Sequence, residues 1–343
     1  GLDILRRGGN AVDAAVAIAF VLAVVHPEAG NLGGGGYMLV RMADGRTSAI
    51  DYKETVPAAA TRNAFPQGSR TVGYRAAGVP GTVAGMEVAH RQFGRLKWKH
   101  VLEPARRLAE DGVPASQRME LILPLQVPVM KQFPESAKLF LHGTDQPLKQ
   151  GEILRQRDLA ATIRRIQKSG ARDFYSGETA KRIVADMAAN QGFLNAQDLA
   201  SYRAIETKPL ITTYRGHPLL TVPPSSSGGM TVVEALNVLE HFPMPVGREG
   251  SSQSWHYIVE ALRRAARDRL YHAGDPSFDK VPSARLTSKE YAAELARTVL
   301  ADRATPQPQF PQVAAASPGF IDESTSTTHF SVLDSEGNMV ANT

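Results

Sequence analysis

The hydrophobic pattern is strongest near the N-terminus, where residues 14–25 are almost entirely apolar. Gly8-Gly9 ahead of this stretch predicts a turn, and Asn10 is a residue type that caps helix N-termini, so we predict a helix from Ala11 to Val25. Since it is apolar on nearly every side, we expect it in the interior of the protein. The stretch falls well short of the ~20 residues that a membrane-spanning helix needs.

Alternation of apolar and polar residues predicts short strands further along the chain. A strand at 37–41, a turn at Asp44-Gly45 and a return strand at 47–53 form one predicted hairpin. Residues 209–222 alternate like a second hairpin, and 328–333 is a strand followed by a turn at 335–338. Helical periodicity predicts further helices at 83–93, 101–109, 158–167, 177–190, 196–202, 230–240 and 254–271. The fold class is therefore α/β or α+β with helices in the majority.

Composition excludes several kinds of protein. The 343 residues contain no cysteine, so a disulfide scaffold, a zinc-thiolate module and a cysteine nucleophile are ruled out. The 39 basic and 34 acidic residues give a net charge of +5, but the basic residues are scattered in pairs and do not form a stripe with aromatic residues. Solvated helix faces are the favoured interpretation, and we expect neither a nucleic-acid nor a membrane partner.

Three motifs are candidates for chemistry. The run Gly33–Gly36 lacks the ending of a phosphate-binding loop and leads into a strand, which favours close backbone packing or a turn facing a substrate. The pair Glu87 and His90 has a spacing used in di-iron bundles, but there is no second pair, so we expect no metal and no other cofactor. Ser225–Ser227 ahead of Gly228-Gly229 reads first as a helix-capping loop, with ligand contact as the alternative.

The hydroxyl-rich segment at 324–328 has the composition that a self-cleaving nucleophile needs. It follows a proline- and alanine-rich segment at 306–319, predicted to be a mobile or extended linker, and it leads directly into a strand. A threonine hydroxyl there can attack the carbonyl carbon of the preceding residue, and the acyl group then moves from the threonine nitrogen to its oxygen, which frees the α-amine and forms an ester. Water hydrolyses that ester and releases a chain that begins at the threonine. That amine has a reference pKa of about 7.7–8.0, so it can deprotonate the hydroxyl near neutral pH.

Several segments together resemble the γ-glutamyltransferase (γ-glutamyltranspeptidase) family, and they occur in the family's order along the whole chain. They are Gly8-Gly9-Asn10-Ala11-Val12-Asp13, Gly30-Asn31-Leu32-Gly33-Gly34-Gly35-Gly36, Gly78-Val79-Pro80-Gly81-Thr82, Asp198-Leu199-Ala200-Ser201-Tyr202, Pro223-Pro224-Ser225-Ser226-Ser227-Gly228-Gly229, Gly274-Asp275-Pro276 and Thr327-Thr328-His329-Phe330-Ser331-Val332.

The resemblance implies the four-layer αββα sandwich of N-terminal-nucleophile hydrolases. It implies a precursor that cuts itself between Ser326 and Thr327, with 1–326 as the large-subunit region and 327–343 as the start of the small subunit. Thr327 would be the nucleophile that takes a γ-glutamyl group from glutathione or a related amide. It would pass that group to an amino acid, a peptide or water. Bacterial relatives are typically periplasmic or secreted, and we expect the same here.

The sequence departs from the family pattern at two places. Lys53 stands where the family has an arginine that binds the α-carboxylate of the substrate, and lysine lacks the planar guanidinium fork. We therefore expect altered substrate recognition at Lys53, favouring hydrolysis or an acyl group without an amino-acid head, as in cephalosporin acylases. The family also continues well beyond Thr343, so we expect this polypeptide alone to be inactive or part of something longer. A non-catalytic fragment is the remaining alternative.

Overall fold

A computed structural model describes most of the chain. The described residues are 1–61, 63–65, 71–143, 145–244, 250–306 and 327–343. They form two compact units, one comprising Gly1–Arg46, Ile50–Glu206 and Ser324–Thr343 and the other Thr47–Ala49 and Thr207–Glu323. The predicted cleavage residue Ser326 and most of the predicted linker at 306–319 lie outside the described residues.

The first unit contains most of the helices and strands, described here in chain order. Its helices are α1 (Leu2–Arg6), α2 (Ala11–Val25), α3 (Thr82–Phe93), α4 (Trp98–Asp111), α5 (Gln117–Met130), α6 (Pro134–Phe140), α7 (Arg157–Ser169), α8 (Ala171–Ser176), α9 (Glu178–Ala189) and α10 (Ala196–Ser201), with a 3₁₀ turn at Tyr74–Ala76. Its strands are β1 (Tyr37–Arg41), β3 (Val113–Pro114), β4 (Ile153–Leu154), β8 (Phe330–Leu333) and β9 (Met339–Asn342). Two further strands, β2 (Thr47–Asp51) and β5 (Ile205–Thr207), have residues assigned to both units.

The second unit is a helical cluster beside a hairpin. Buried side chains of three of its helices, among them Val238, Ala261 and Ala292, form its apolar core. Its elements are β6 (Leu210–Tyr214), β7 (His217–Thr221), α11 (Ser227–Leu239), α12 (Ser252–His272), α13 (Ser283–Leu286) and α14 (Lys289–Ala296). Ser226 caps α11 by accepting from the amide N–H of Gly228, as the capping interpretation of the serine run predicts.

A five-stranded sheet joins the two ends of the sequence. Its strand order is β5-β2-β1-β9-β8, and β9 pairs antiparallel with both β1 and β8. Val340 in β9 therefore lies opposite Val40 on one side and Val332 on the other. The predicted strand at 328–333 begins two residues later than expected, at Phe330. The last strand of the chain is thus an inner strand of the sheet.

Helix α2 packs against this sheet and forms the centre of the core, as its apolar pattern predicts. It is capped at Asn10, whose side chain accepts from the N–H groups of Val12 and Asp13 at 3.0 and 3.1 Å. The wholly buried Asp13 carboxylate accepts in return from the N–H of Asn10 at 3.0 Å and also from that of Arg95 at 3.0 Å. The family segment around Asn10 is therefore a structural motif that fixes the start of α2.

Within the described ranges, none of the helices is both long and apolar enough to span a membrane.

Candidate functional site

Residues from both ends of the chain line a cavity of about 290 Å³ in the first unit. Thr327 and Thr328, which lie just before β8, line this cavity together with Glu54 and Asn31. The remaining lining residues are Ala19, Leu22, Ala29, Gly30, Gly35, Tyr52, Thr82, Phe330, Asn342 and Thr343. The sheet pairing of β8, β9 and β1 brings these groups together, because it places the C-terminal segment next to the glycine run.

The glycine run lies beside the cavity, where the backbone is too crowded for side chains at two of its positions. A Cβ on Gly36 would lie 2.1 Å from the carbonyl oxygen of Thr343, and one on Gly35 would lie 2.4 Å from that of Tyr52. Such distances exclude any side chain unless the backbone moves. This supports the interpretation of close backbone packing at Gly35 and Gly36, whereas a Cβ on Gly33 would meet no atom within 4 Å.

Asn31 fixes the shape of the turn that carries this run. Its Oδ1 accepts from the N–H of Gly34 at 2.9 Å and from the Thr82 hydroxyl at 2.8 Å. The Gly34 carbonyl oxygen in turn accepts from the N–H of Gly81 at 2.7 Å. Asn31 and Gly81 therefore tie two of the family segments together at the cavity wall.

Tyr52 lies in the cavity wall, where it contacts a residue from the C-terminal segment. It is buried, and its hydroxyl donates to Oδ1 of Asn342 at 2.7 Å. Burial raises the pKa of the Tyr52 phenol far above its ordinary value, so the hydroxyl is protonated at neutral pH. Tyr52 is thus a neutral hydrogen-bond donor that holds Asn342 in the cavity wall.

A histidine and a threonine lie side by side next to Thr327. Nδ1 of His329 is 2.6 Å from the Thr343 hydroxyl, and its Nε2 is 3.3 Å from the Ser331 hydroxyl. The Thr343 backbone pairs with Tyr37, whose N–H donates to the Thr343 carbonyl oxygen at 2.9 Å. These contacts order the residues that flank Thr327, whose own side chain is exposed.

Lys53 follows β2, but its side chain is absent from the cavity lining described above. Its neighbours Tyr52 and Glu54 both line the cavity, as alternation along an extended chain predicts for residues two apart. The Lys53 backbone is held by Tyr202, whose hydroxyl donates to the Lys53 carbonyl oxygen at 2.9 Å. The structure therefore brings Thr327 to the cavity and leaves a substrate-binding role for Lys53 a prediction.

The sequence reasoning missed Tyr52, Glu54, Asn31 and Asn342 as site residues. The period-two pattern of the predicted strand at 47–53 contained a signal for two of them, since it places Tyr52 and Glu54 on the face opposite Lys53. Asn342 had no such signal, because its position depends on the pairing of strands distant in sequence.

Glu87 and His90, singled out for their spacing, both serve the fold. The Glu87 carboxylate accepts from the N–H of Ala171 at 2.7 Å, and Nε2 of His90 lies 2.8 Å from the Leu96 carbonyl oxygen.

Comparison with known proteins identifies the fold and the family. The chain superimposes on the crystal structure of Helicobacter pylori gamma-glutamyltranspeptidase with a TM-score of 0.87 and 38% identity, covering 92% of this chain and 94% of that one. It superimposes on cephalosporin acylase from Bacillus halodurans with a TM-score of 0.86 and 27% identity, covering 99% of this chain and 62% of that one. The fold is α/β, of the N-terminal-nucleophile hydrolase class.

The sequence comparisons narrow this class to one family. The family model described as Gamma-glutamyltranspeptidase matches residues 1–343. The chain is 40% identical over 350 residues to the glutathione hydrolase proenzyme of Escherichia coli (strain K12), covering 99% of this chain. The chain belongs to the gamma-glutamyltranspeptidase family, as the sequence resemblance predicts. It spans 59% of the length of that Escherichia coli relative.

Proposed function

We propose that the protein catalyses γ-glutamyl transfer and hydrolysis, with Thr327 as the nucleophile. The observation that carries this proposal is the cavity in which Thr327 lies beside Asn31, Glu54 and the glycine run. Family membership and the name of the Escherichia coli relative, a glutathione hydrolase proenzyme, support the same reaction. The proposed substrates are glutathione and other γ-glutamyl amides, and the acceptors are amino acids, peptides or water.

The chemistry follows from a threonine with a free α-amine. The amine takes the hydroxyl proton of Thr327, the hydroxyl oxygen attacks the γ-carbonyl carbon, and the amide nitrogen leaves with a proton. An ester of the γ-glutamyl group on Thr327 results. An amine or a water molecule then attacks that ester, which releases the product and returns the proton to Thr327. No metal or organic cofactor takes part in the proposed reaction.

The free amine requires a cut in the backbone before Thr327. We propose that the precursor cleaves itself between Ser326 and Thr327, so that 1–326 becomes the large subunit and 327 begins the small subunit, its partner. The word proenzyme in the name of the Escherichia coli relative supports such a maturation step. Thr327 is exposed next to the cavity, which suits a residue that must receive a substrate.

Substitution of Thr327 tests the nucleophile and the cut together. For the protein expressed from its whole coding sequence, we expect intact-mass spectrometry to find a piece that begins at Thr327, and γ-glutamyl-p-nitroanilide to be turned over. Thr327→Ala should give an uncut, inactive chain, whereas Thr327→Ser should be cut and active at a reduced rate. Thr207→Ala, at an exposed position on β5, is the matched control. Turnover by Thr327→Ala would overturn the proposal.

We also propose that Lys53 binds the carboxylate of the acyl group and alters its recognition. Lysine offers a point charge in place of a bidentate fork, so Lys53→Arg should lower KM for γ-glutamyl-p-nitroanilide. Unchanged KM and kcat in Lys53→Arg would remove Lys53 from the substrate site.

A second candidate function is hydrolysis of acyl groups that lack the amino-acid head, as by a cephalosporin acylase. The structural similarity to the acylase of Bacillus halodurans and the presence of Lys53 favour it as the alternative. Comparing turnover of γ-glutamyl- and glutaryl-p-nitroanilide separates the two candidates, because only the first carries an α-amino group. Faster turnover of the glutaryl compound would favour the acylase.

We propose a periplasmic or secreted location, which suits an enzyme of extracellular glutathione that contains no cysteine. Fractionation of the native host tests it, and recovery of the protein with the cytoplasm would contradict it.

A further inference from the structure

A groove lined mainly by basic side chains lies on the surface of the first unit, where residues of helices α4 and α7 meet. Its volume is about 470 Å³, within the ~300–1,000 Å³ of small-molecule sites. We call it the basic groove, and the residues that line it are Lys99, His100, Glu103, Arg164, Gln167 and Lys168. None of these six residues lines the cavity at Thr327, so the proposed reaction leaves the basic groove without a role.

The two helices each bring a cluster of side chains to the groove. Lys99 and Glu103 are four residues apart on α4, and Arg164 and Lys168 are four residues apart on α7. Residues at this spacing lie on the same side of a helix. Packing of α4 against α7 therefore collects, in one place, basic residues that are far apart in the sequence.

The backbone that carries these side chains is held in place by the core. The indole N–H of Trp98 donates to the Ile166 carbonyl oxygen at 3.0 Å. The side-chain amide of Gln167 donates to the Lys99 carbonyl oxygen at 2.8 Å. The Trp98 ring also packs edge-on against Phe20 of α2, with 5.8 Å between the ring centres. The start of α4 and the end of α7 thus present their side chains from a fixed backbone.

The carboxylate of the groove, Glu103, is already neutralised. Arg106 donates to both of its oxygens, at 2.9 and 2.6 Å. Hydrogen bonding from Arg106 is the main reason why the pKa of Glu103 is lowered to about 2, so the two side chains form an ion pair at neutral pH. Arg164 is paired as well, since it donates to Glu110 at 2.7 Å.

The two lysines of the groove differ from these paired groups. Lys99 and Lys168 are exposed, and within the part of the chain that the structure describes neither ammonium group has an ion-pair partner. Two positive charges on neighbouring helices repel each other unless an anion lies between them. The basic groove therefore has charge available for an anionic ligand.

The chemistry of the available groups favours a phosphate over a carboxylate. The planar fork of a guanidinium matches a carboxylate, whereas an ammonium group binds phosphate oxygens as a point charge with three donors. A phosphomonoester carries a charge of about −1.5 to −2 at pH 7, which is enough to offset both lysines. His100 adds a ring nitrogen that can donate to a further phosphate oxygen.

We propose that the basic groove binds a small phosphomonoester, whose phosphate group pairs with Lys99 of α4 and Lys168 of α7 and accepts a hydrogen bond from His100. Two sources supply this chemistry, namely a soluble phosphomonoester and the phosphomonoester headgroup of a lipid. The proposal is independent of the proposed function, because the groove and the cavity at Thr327 share no lining residue.

Calorimetric titration with glycerol 3-phosphate tests the proposal on the protein expressed from its whole coding sequence. The native protein should bind this probe. The variant that combines Lys99→Ala and Lys168→Ala should bind it at least about 10-fold more weakly, because two charge-assisted hydrogen bonds are lost. The matched control combines Lys138→Ala and Lys181→Ala, which removes the same charge at two exposed lysines outside the groove and should leave the affinity unchanged.

Two further comparisons define the ligand class. Succinate, a dicarboxylate of similar size, should bind at least about 10-fold more weakly than glycerol 3-phosphate. The variant that combines Lys99→Arg and Lys168→Arg keeps both charges and should retain binding of glycerol 3-phosphate, whereas its loss of binding would contradict the charge pairing.

Co-sedimentation with vesicles distinguishes the two sources of the phosphomonoester. Vesicles of phosphatidylcholine and phosphatidate present this group at a membrane surface, and vesicles of phosphatidylcholine alone are the control. Sedimentation that requires phosphatidate and is lost with Lys99→Ala and Lys168→Ala would assign the lipid headgroup. Binding of glycerol 3-phosphate without sedimentation would assign a soluble ligand.

Three results would overturn the proposal. They are the absence of binding of either probe to the native protein, equal binding by the native protein and the Lys99→Ala and Lys168→Ala variant, and equal affinity for succinate and glycerol 3-phosphate. Turnover of γ-glutamyl-p-nitroanilide by this variant should equal that of the native protein, which shows that the variant folds. If the native protein does not turn over the anilide, the proposed function fails, while equal melting temperatures show folding and the titrations still decide on the groove.

Discussion

The Tyr52 hydroxyl donates a 2.7 Å hydrogen bond to Asn342, a residue 290 positions away in the sequence, and both residues are buried in the cavity wall. Tyr52→Phe would leave the Asn342 oxygen buried without this donor, which should lower the free energy of unfolding by about 1–3 kcal/mol. Chemical denaturation measures the change. Tyr74→Phe is the control, because the Tyr74 hydroxyl is exposed and its bond to Asp186 is 3.5 Å long. Equal losses in the two variants would contradict the role assigned to Tyr52.

Crowding at the glycine run predicts a sharp difference between two adjacent substitutions. Gly36→Ala should destabilise the protein by more than about 2 kcal/mol, because its Cβ would overlap the Thr343 carbonyl oxygen in the pairing of β1 with the chain end. Gly33→Ala should change stability by less than about 0.5 kcal/mol, since no atom lies within 4 Å of the added carbon. Thermal denaturation of both variants compares them, and similar melting temperatures would contradict the predicted crowding.

Asp334 stabilises the fold through its charge. Its Oδ2 accepts from the N–H of Ala11, the first residue of α2, at 2.9 Å. Burial alone would raise the pKa of Asp334, but hydrogen bonds from Asn338 and Ala11 outweigh burial and lower it. A carboxylate with a depressed pKa in the folded state stabilises the fold above its unfolded pKa of about 3.9 and loses that contribution as the pH falls.

Asp334→Asn should therefore cost about 1–2 kcal/mol of unfolding free energy at pH 7, and the cost should shrink below about pH 4. Urea denaturation at a series of pH values from about 7 down to about 3 measures this. Asp302→Asn, at an exposed position, should have little effect at any of these pH values. A cost that does not vary with pH would show that the charge of Asp334 is unimportant.

A buried pair of carboxyl groups makes the second unit sensitive to pH in the opposite direction. Glu234 and Asp268 are hydrogen-bonded to each other and are 1% and 2% exposed. Burial, followed by the charge of Asp268, raises the pKa of Glu234 to about 8. Because the folded state retains this proton while the unfolded chain loses it near pH 4.3, stability should fall as the pH rises from about 4.3 to about 8.

Glu234→Gln should remove this fall, because an amide keeps a donor for Asp268 without a titrating proton. The variant should thus gain stability relative to the native protein as the pH rises towards 8. Denaturation at pH values across that range compares native protein, Glu234→Gln and Glu290→Gln, the last at an exposed position on α14. An identical pH slope in native protein and Glu234→Gln would contradict the prediction.

The elements that could be predicted from sequence are those whose signals are local. Asn10 and the apolar residues after it define α2, and the turn at Asp44-Gly45 defines the first hairpin. Helix α5 was missed because it contains Pro124 and Pro128, which normally break helices; here it forms while burying Met119 and Leu123. Helix α14 carried a usable signal in its cap, Ser288.

The site was less predictable than the fold, because it depends on pairing between distant strands. Thr327 could be singled out by its chemistry, but nothing local in the sequence places β9 between β1 and β8. Lys53 shows that a family position alone does not locate a side chain. The resemblance suggests a substrate-binding role for Lys53, but the residues that line the cavity are its neighbours Tyr52 and Glu54.

The inner position of β9 has a consequence for maturation. If the backbone is cut before Thr327, β9 belongs to the new piece but remains paired with β1 of the other piece, and Asp334 remains bound to the first turn of α2. The two pieces could then separate only if the backbone hydrogen bonds between β9 and β1 were broken. A two-chain protein of this kind should therefore unfold and dissociate in one transition, and dilution should promote that transition because it releases two separate pieces.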